Sequence, residues 1–186
     1  MPSMRPRGRA SEHDPAPGQA LAEFALVLPI LAIILLGIVQ LAFIFGAQIG
    51  VTNAVREAAR LAATTTPTVS FAEAQAHGPA VYGRLKADYL PDNVWAFDPA
   101  GLVEAGAGDT RICYTAVIDT ATKDAVNVKV EAIYRHTIFI PLLGPLLDEI
   151  DGVADGGLRI GAAEEMRVEN PELLAAPGFG TLCYDP

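Results

Sequence analysis

The sequence predicts an α+β protein in which a long N-terminal transmembrane helix precedes a small domain with an antiparallel sheet. Three observations lead to this class: a long apolar run near the N-terminus, alternating strand-like runs further along, and a remainder of ordinary globular composition. We expect a cytoplasmic leader at residues 1–18, the transmembrane helix with its extension at residues 19–65, and an extracytoplasmic α+β domain at residues 66–186.

The apolar run extends from Phe24 to Val55 without one Asp, Glu, Lys or Arg. Its most apolar part, Phe24 to Ile49, would be about 39 Å long at about 1.5 Å per residue, against about 30 Å for the hydrocarbon core of a bilayer. This part can therefore span a membrane with some tilt. The alternative is a fully buried helix of a soluble protein, which is a rare arrangement in a chain of this size.

The first 18 residues are rich in Pro, Gly, Ser and charge and show no apolar period, which predicts a disordered leader. Arg5, Arg7 and Arg9 lie shortly before the span and favour a cytoplasmic N-terminus, with the domain on the other side of the cell membrane. A secretory signal peptide is the competing interpretation. Its apolar region would be only about 7–15 residues long, far shorter than the run found here.

The formal net charge is −9, and the surplus of acids lies entirely after the span. An acidic domain without a basic run is a poor candidate for binding nucleic acid. The sequence contains no Gly-x-Ser-x-Gly, phosphate-loop or His-Glu-x-x-His motif, so we expect no catalytic residues and no enzyme. Its cysteines and histidines lack metal-ligand spacing, and residues 148–155 lack the spacing of a calcium loop. We therefore expect no metal and no cofactor.

A single carboxylate stands at the border of the span, five positions after a glycine. A cut after Gly18 would create a cationic amino group at Gln19, about one helical turn from Glu23. The acid could then neutralise that amino group or the one on a neighbouring helix, which would offset the cost of a carboxylate at the membrane border. Alternatively, Glu23 simply lies near a helix N-terminus, where the macrodipole favours a negative charge.

The order of these residues resembles the TadE-like family of pseudopilins, which belong to the tight-adherence (Flp-type) pilus and secretion apparatus. The resemblance is carried by Gly-Gln-Ala-Leu-Ala-Glu-Phe-Ala-Leu-Val-Leu-Pro at residues 18–29, by the apolar run, and by Asn-Ala-Val-Arg-Glu-Ala-Ala-Arg at residues 53–60. It extends more weakly over residues 126–169. The resemblance implies a prepilin-peptidase cut between Gly18 and Gln19, an assembly acid at Glu23, and a pilin-like outer domain.

The resemblance further implies a non-enzymatic membrane subunit that supports pilus assembly. Its partners would be the membrane, other pilus-assembly or pseudopilin subunits, and a prepilin peptidase. The alternative is a membrane-anchored binding or sensing domain outside the cell membrane. That function would not need Glu23 and would depend on the loop that contains Trp95.

Small and polar residues within the apolar run are candidates for helix contacts. Gly37 and Gly46 would let another helix approach closely, and Gln40 and Gln48 could form hydrogen bonds across a helix pair. The two amides could equally bond to their own helix or reach the membrane surface. The helix should continue through residue 63, where an alanine-rich stripe either contacts another subunit or receives the chain's own folded domain.

Beyond the span, we expect a second helix from Phe71 to Tyr89, interrupted or offset near Gly78 and Pro79. A long loop from residue 91 to 109 follows, in which Trp95 and Phe97 either form a contact surface or anchor the loop to the core. A short apolar helix or turn at residues 141–150 either packs over the sheet and completes the core or, if exposed, forms a contact patch.

Alternating residues predict two strands, Arg111 to Asp119 and Val126 to Tyr134, paired as a hairpin. A third strand is predicted from Leu158 to Glu169, although its period places Glu164 inward, which a β-bulge or an edge position would resolve. Cys113 and Cys183 are the only cysteines, and in an extracytoplasmic domain they can form a disulfide that ties the C-terminal tail to the sheet.

Overall fold

The structure is a computed structural model that describes residues 17–65, 71–104, 109–117, 125–140, 144–145, 152, 157–169 and 180–186. The chain divides into two compact units, residues 1–38 and residues 39–186. A long apolar helix at the N-terminus is followed by a small four-stranded antiparallel sheet. The predicted α+β class is confirmed.

The long helix α1 runs from Pro17 to Thr65 and contains Pro29. In the described part of the chain it is the one helix that is long and apolar enough to cross a membrane. Between Gly18 and Ile38 almost every side chain is exposed, and an apolar surface of this kind requires lipid or other helices around it. The helix includes Pro17 and Gly18, which we had expected in the disordered leader, because proline is well suited to the first turn of a helix.

The sheet consists of β1 (Arg111–Val117), β2 (Ala125–Thr137), β3 (Gly157–Arg167) and β4 (Thr181–Tyr184), in the order β3-β2-β1-β4. All neighbouring strands are antiparallel. The pairing of β1 with β2 confirms the predicted hairpin, whose connection at residues 118–124 lies outside the described residues. Strand β2 is longer at both ends than predicted, and β4 was not predicted as a strand.

The third strand lies at the edge of the sheet, and this position accounts for Glu164. The β2–β3 ladder continues without a bulge through the pair Val130 and Glu164. The side chain of Glu164 is partly exposed and lies 3.8 Å from the guanidinium of Arg56 on α1. The edge position, one of our two interpretations, is therefore confirmed.

The core of the second unit forms between α1 and the sheet. On α1, alanine and valine recur at helical spacing and are almost completely buried; on β2, every second side chain is buried. The members on α1 are Val51, Ala54, Val55, Ala58, Ala59 and Ala62, and those on β2 are Val126, Val128, Val130, Ala132 and Tyr134. Alanine allows close approach, so the stripe receives the chain's own domain, as one of our two interpretations proposed.

Two predictions for the segment between α1 and β1 are wrong in part. Helix α2 (Phe71–Arg84) continues through Pro79 without interruption, and a π-helical turn (Leu85–Tyr89) follows it. Burial of Val81 and Leu85 in the core outweighs the cost of a proline inside the helix, about 3 kcal/mol. The expected loop begins with a short helix, α3 (Leu90–Asn93), and contains a 3-10 turn (Pro99–Gly101).

Two further predictions fall mostly outside the described residues. Of the apolar run at residues 141–150 the structure describes only Gly144 and Pro145, and of the acidic run at residues 148–155 only Gly152. Both remain predictions.

The structure joins the sulfur atoms of Cys113 and Cys183 at 2.08 Å, across paired positions of β1 and β4. The bond closes a separation of 70 residues and holds a strand of only four residues at the sheet edge.

We predict that the double substitution Cys113→Ser and Cys183→Ser lowers the free energy of unfolding by about 2–4 kcal/mol, the usual contribution of a disulfide that closes a long loop. Urea unfolding of the detergent-solubilised protein measures this loss. A reductant should destabilise the native protein to the same degree and leave the double variant unchanged. An unfolding midpoint of the native protein that does not respond to reductant would contradict the prediction.

Candidate functional site

The first turns of α1 bring two of the predicted site residues into contact. The side-chain amide of Gln19 donates a hydrogen bond to Oε1 of Glu23, at 3.1 Å. Four positions separate these residues, which places them on the same face of a helix. Gly18 lies one residue before Gln19, and all three residues are exposed. Glu23 is thus an exposed acid that lies one helical turn after Gln19.

The position of Glu23 within α1 determines how strongly the helix dipole stabilises its carboxylate. The first turn of α1 contains no acidic residue, and Glu23 lies in the second turn. The favourable effect of the helix dipole on an anion falls off within the first turn. The dipole therefore contributes little to Glu23, whose hydrogen-bond partner in the structure is the neutral side-chain amide of Gln19.

The two glutamines of the apolar run bond to the chain's own domain. Phe139 donates its backbone N–H to Oε1 of Gln40 at 3.0 Å, and Nε2 of Gln48 donates to the carbonyl oxygen of Gly161 at 3.1 Å. Gln40 is only 1% exposed. Its Nε2 has no hydrogen-bond partner among the described residues. The alternatives weighed from the sequence did not include a bond to the domain backbone.

The two glycines of the helix-contact prediction are open to neighbours. A Cβ added at Gly37 or at Gly46 would meet nothing within 4 Å. Each glycine therefore leaves room for a neighbouring helix to approach closely.

Charged groups of the domain form two clusters that tie elements together. Glu104 accepts hydrogen bonds from the Tyr82 hydroxyl and from Lys86, which join the loop after the 3-10 turn to α2 and the π-helical turn. Hydrogen bonds from Lys86 and Tyr82 lower the pKa of the Glu104 carboxyl. Burial, together with Glu104, raises the pKa of Tyr82 well above its usual range. These shifts follow from the mutual contacts and indicate a structural role.

The second cluster lies on the paired strands β1 and β2. Glu131 accepts a hydrogen bond from Arg111 and lies 2.6 Å from Nζ of Lys129. Burial opposes ionisation of Glu131, but the bonds to the two cations outweigh it, so that the pKa of Glu131 is lowered. Opposite charges across neighbouring strands stabilise the hairpin.

His136 is the one histidine placed in the core among the described residues. It is 4% exposed, its Nε2 has no hydrogen-bond partner in the described part of the chain, and burial lowers its pKa. It is therefore neutral near pH 7. Among the described residues, no three His, Cys, Asp or Glu side chains come together in a way that could hold a metal ion.

The aromatic residues of the predicted loop have two different environments. Phe97 stacks on Tyr134 of β2, with ring centroids 5.4 Å apart, and anchors the loop to the core. Trp95 stacks on Phe43 of α1 at 4.9 Å but remains 67% exposed. Phe139 completes a cluster with both rings, and we call Phe43, Trp95 and Phe139 the aromatic patch.

A comparison with known families decides the class of the N-terminal segment. Residues 18–60 match the model of the family described as TadE-like protein. This segment is TadE-like. No curated protein and no solved structure matches the chain.

The TadE-like match contains Gly18, Gln19, Glu23, the apolar run and the first part of the alanine stripe. It confirms the resemblance inferred from the sequence for residues 18–60. Together with the apolar helix, the match is compatible with a single-pass membrane protein.

Sequence reasoning missed the aromatic patch and the ion pair between Arg56 and Glu164. Phe43 lies in the apolar run, where nothing distinguishes it from its neighbours, and Phe139 is far from it in sequence. The sequence allowed only one part of the patch to be considered, namely an exposed Trp95 in a loop that forms a contact surface.

Proposed function

We propose that this protein is a non-enzymatic, pseudopilin-like membrane subunit that supports assembly of a tight-adherence (Flp-type) pilus or secretion apparatus. The observation that carries the proposal is the exposed Glu23 at the start of α1, hydrogen-bonded to Gln19 within the TadE-like segment. A membrane-anchored sensing domain would not require an acid at this position.

The proposed mechanism is structural. Glu23 of one subunit pairs with a cationic amino group at Gln19, in the same chain or in a neighbouring subunit, at the border of the membrane. Pairing reduces the cost of holding each charge near lipid, so that subunits associate in a fixed axial register. Gly37 and Gly46, both open to neighbours, provide positions at which helices of other subunits approach closely.

The proposed topology follows the charges of the flanks. A leader with three arginines remains in the cytoplasm, residues 19–65 form the membrane helix and its extension, and residues 66–186 lie outside the cell membrane. The disulfide between Cys113 and Cys183 accords with an oxidising compartment. A prepilin peptidase cuts between Gly18 and Gln19 in this scheme.

The proposal predicts that the mature protein begins at Gln19. Intact-mass measurement and N-terminal sequencing of the protein recovered from its native membrane test this directly. The variant Gly18→Leu should retain residues 1–18, because a bulky residue before the cut hinders cleavage, whereas Gly46→Leu should be processed normally.

A native chain that begins at Met1 or Pro2 would contradict processing and leave a permanent anchor. A chain that begins beyond Ala58 would remove the apolar run and contradict the membrane subunit itself.

A further inference from the structure

The aromatic patch is exposed although its three rings contact one another. Ring centroids lie 4.9 Å apart for Phe43 and Trp95, 5.9 Å for Phe43 and Phe139, and 6.4 Å for Trp95 and Phe139. Trp95 is nevertheless 67% exposed and Phe139 52% exposed. Large apolar side chains that remain open in a cluster mark a contact surface rather than part of the core.

At the level of Phe43, the side of α1 that faces away from the aromatic patch is also apolar. Leu41 and Phe45 lie two positions before and after Phe43, and they are 50% and 64% exposed. Residues two positions apart point about 160° away from each other on a helix, so these side chains face away from the patch. A single protein partner would cover one side. An apolar surface on opposite sides of one helix level is typical of contact with lipid.

The length of the apolar run places this level at the border of the bilayer. A hydrocarbon core of about 30 Å requires about 20 residues at a rise of about 1.5 Å. Counted from Phe24, the first residue after Glu23, these residues end near Phe43. Trp95 and Phe139 contact α1 at Phe43 and therefore lie where the hydrocarbon gives way to the lipid head groups. Tryptophan is enriched at this depth, because its ring is apolar and its N–H can reach polar groups.

Beside the patch lies a recess of about 240 Å³ with small residues on α1 and polar groups on the domain. It is lined by Ala42, Phe43, Gly46, Ala47, Asn93, Trp95 and His136. A recess with both apolar and polar walls suits a surface that meets both acyl chains and head groups.

We propose that the aromatic patch is a second membrane contact of this protein, in which Trp95 and Phe139 lie in the lipid interface on the domain side of the bilayer. The contact fixes the depth of the domain relative to the membrane. The inference rests on the membrane span of the proposed function but not on pilus assembly or on cleavage of the leader.

Trp95 is the only tryptophan of the chain, so its fluorescence reports this contact without background. The experiment reconstitutes the full chain into phosphatidylcholine vesicles that carry bromine at a shallow or at a deep position of the acyl chains. We expect a blue-shifted emission relative to a tryptophan in water, loss of most of the emission with shallow bromine, and a smaller loss with deep bromine. Resistance to alkaline carbonate extraction shows separately whether the chain spans the membrane.

A matched control moves the tryptophan by two positions. In the double variant Trp95→Phe and Phe97→Trp, the indole stands at the residue that packs on Tyr134 in the core, and lipid bromine should leave its emission unchanged. Circular dichroism of the variant verifies that the domain is folded.

Three results would overturn the inference. Emission of Trp95 that resists both bromolipids but is quenched by aqueous acrylamide would place it in water. Stronger quenching by deep than by shallow bromine would place it inside the hydrocarbon. Protection from both kinds of quencher that disappears when the vesicles are diluted with lipid would assign the patch to contact with a second copy of the chain.

Discussion

Replacing Glu23 with glutamine should remove the protein from assembled pilus complexes while leaving it in the membrane. The substitution keeps the size of the side chain and its ability to bond to Gln19, but it removes the charge. The ion pair proposed at the membrane border is thereby lost, and each loss of about 1.4 kcal/mol corresponds to a factor of ten in association. We therefore expect at least about a tenfold loss of the protein cross-linked to other subunits, measured in the native host.

The matched control is Glu57→Gln, which removes an exposed acid from the same helix beyond the apolar run. This variant should assemble like the native protein. Equal amounts of both variants in the membrane fraction show that insertion is unaffected. Normal assembly of the Glu23→Gln variant would refute the charge-pair mechanism and favour a sensing or binding domain.

Replacing Gly50 with alanine should strongly destabilise the second unit. A Cβ at this position would lie 2.3 Å from the carbonyl oxygen of Asn93 and 2.9 Å from its carbonyl carbon. These are backbone atoms of α3, so they cannot move away as the end of a flexible side chain would. Overpacking of this kind costs about 1–3 kcal/mol or more, and we expect a corresponding decrease in the free energy of unfolding.

Gly46→Ala is the comparison, because its Cβ would meet nothing within 4 Å. Alanine is the better helix former by about 1 kcal/mol, so this variant should be neutral or slightly stabilised. Both substitutions change helix propensity equally, so the difference between their free energies of unfolding, measured in detergent, reports the steric clash at Gly50 alone. Equal stability of the two variants would mean that α3 does not approach α1 as closely as described.

The elements that sequence predicts well are those with a local cause. The apolar run from Phe24 to Val55 and the alternation in β2 each follow from residues within one segment. The strand β4 has no such cause, since four residues from Thr181 to Tyr184 carry no clear period and are extended because they pair with β1. The ion pair between Arg56 and Glu164 likewise depends on how β3 packs on α1, so the sequence alone could not predict it.

The proximity of Gln19 and Glu23 has a local cause, whereas the partners of the two glutamines in the apolar run do not. The spacing of Gly18, Gln19 and Glu23 is set within two turns, and the hydrogen bond between Gln19 and Glu23 follows from that spacing. Gln40 and Gln48 were candidates for contacts across a helix pair because amides in an apolar helix need partners. Their observed partners, Phe139 and Gly161, depend on how the domain packs on α1, which the helix sequence does not reveal.

The edge position of β3 has a consequence for how copies of this protein can polymerise. Three of its exposed positions carry charged side chains, namely Arg159, Glu165 and Arg167. Charged side chains along an outer strand oppose the addition of a further strand from another molecule. Growth by continuous sheets, as in amyloid-like fibres, is therefore disfavoured along β3.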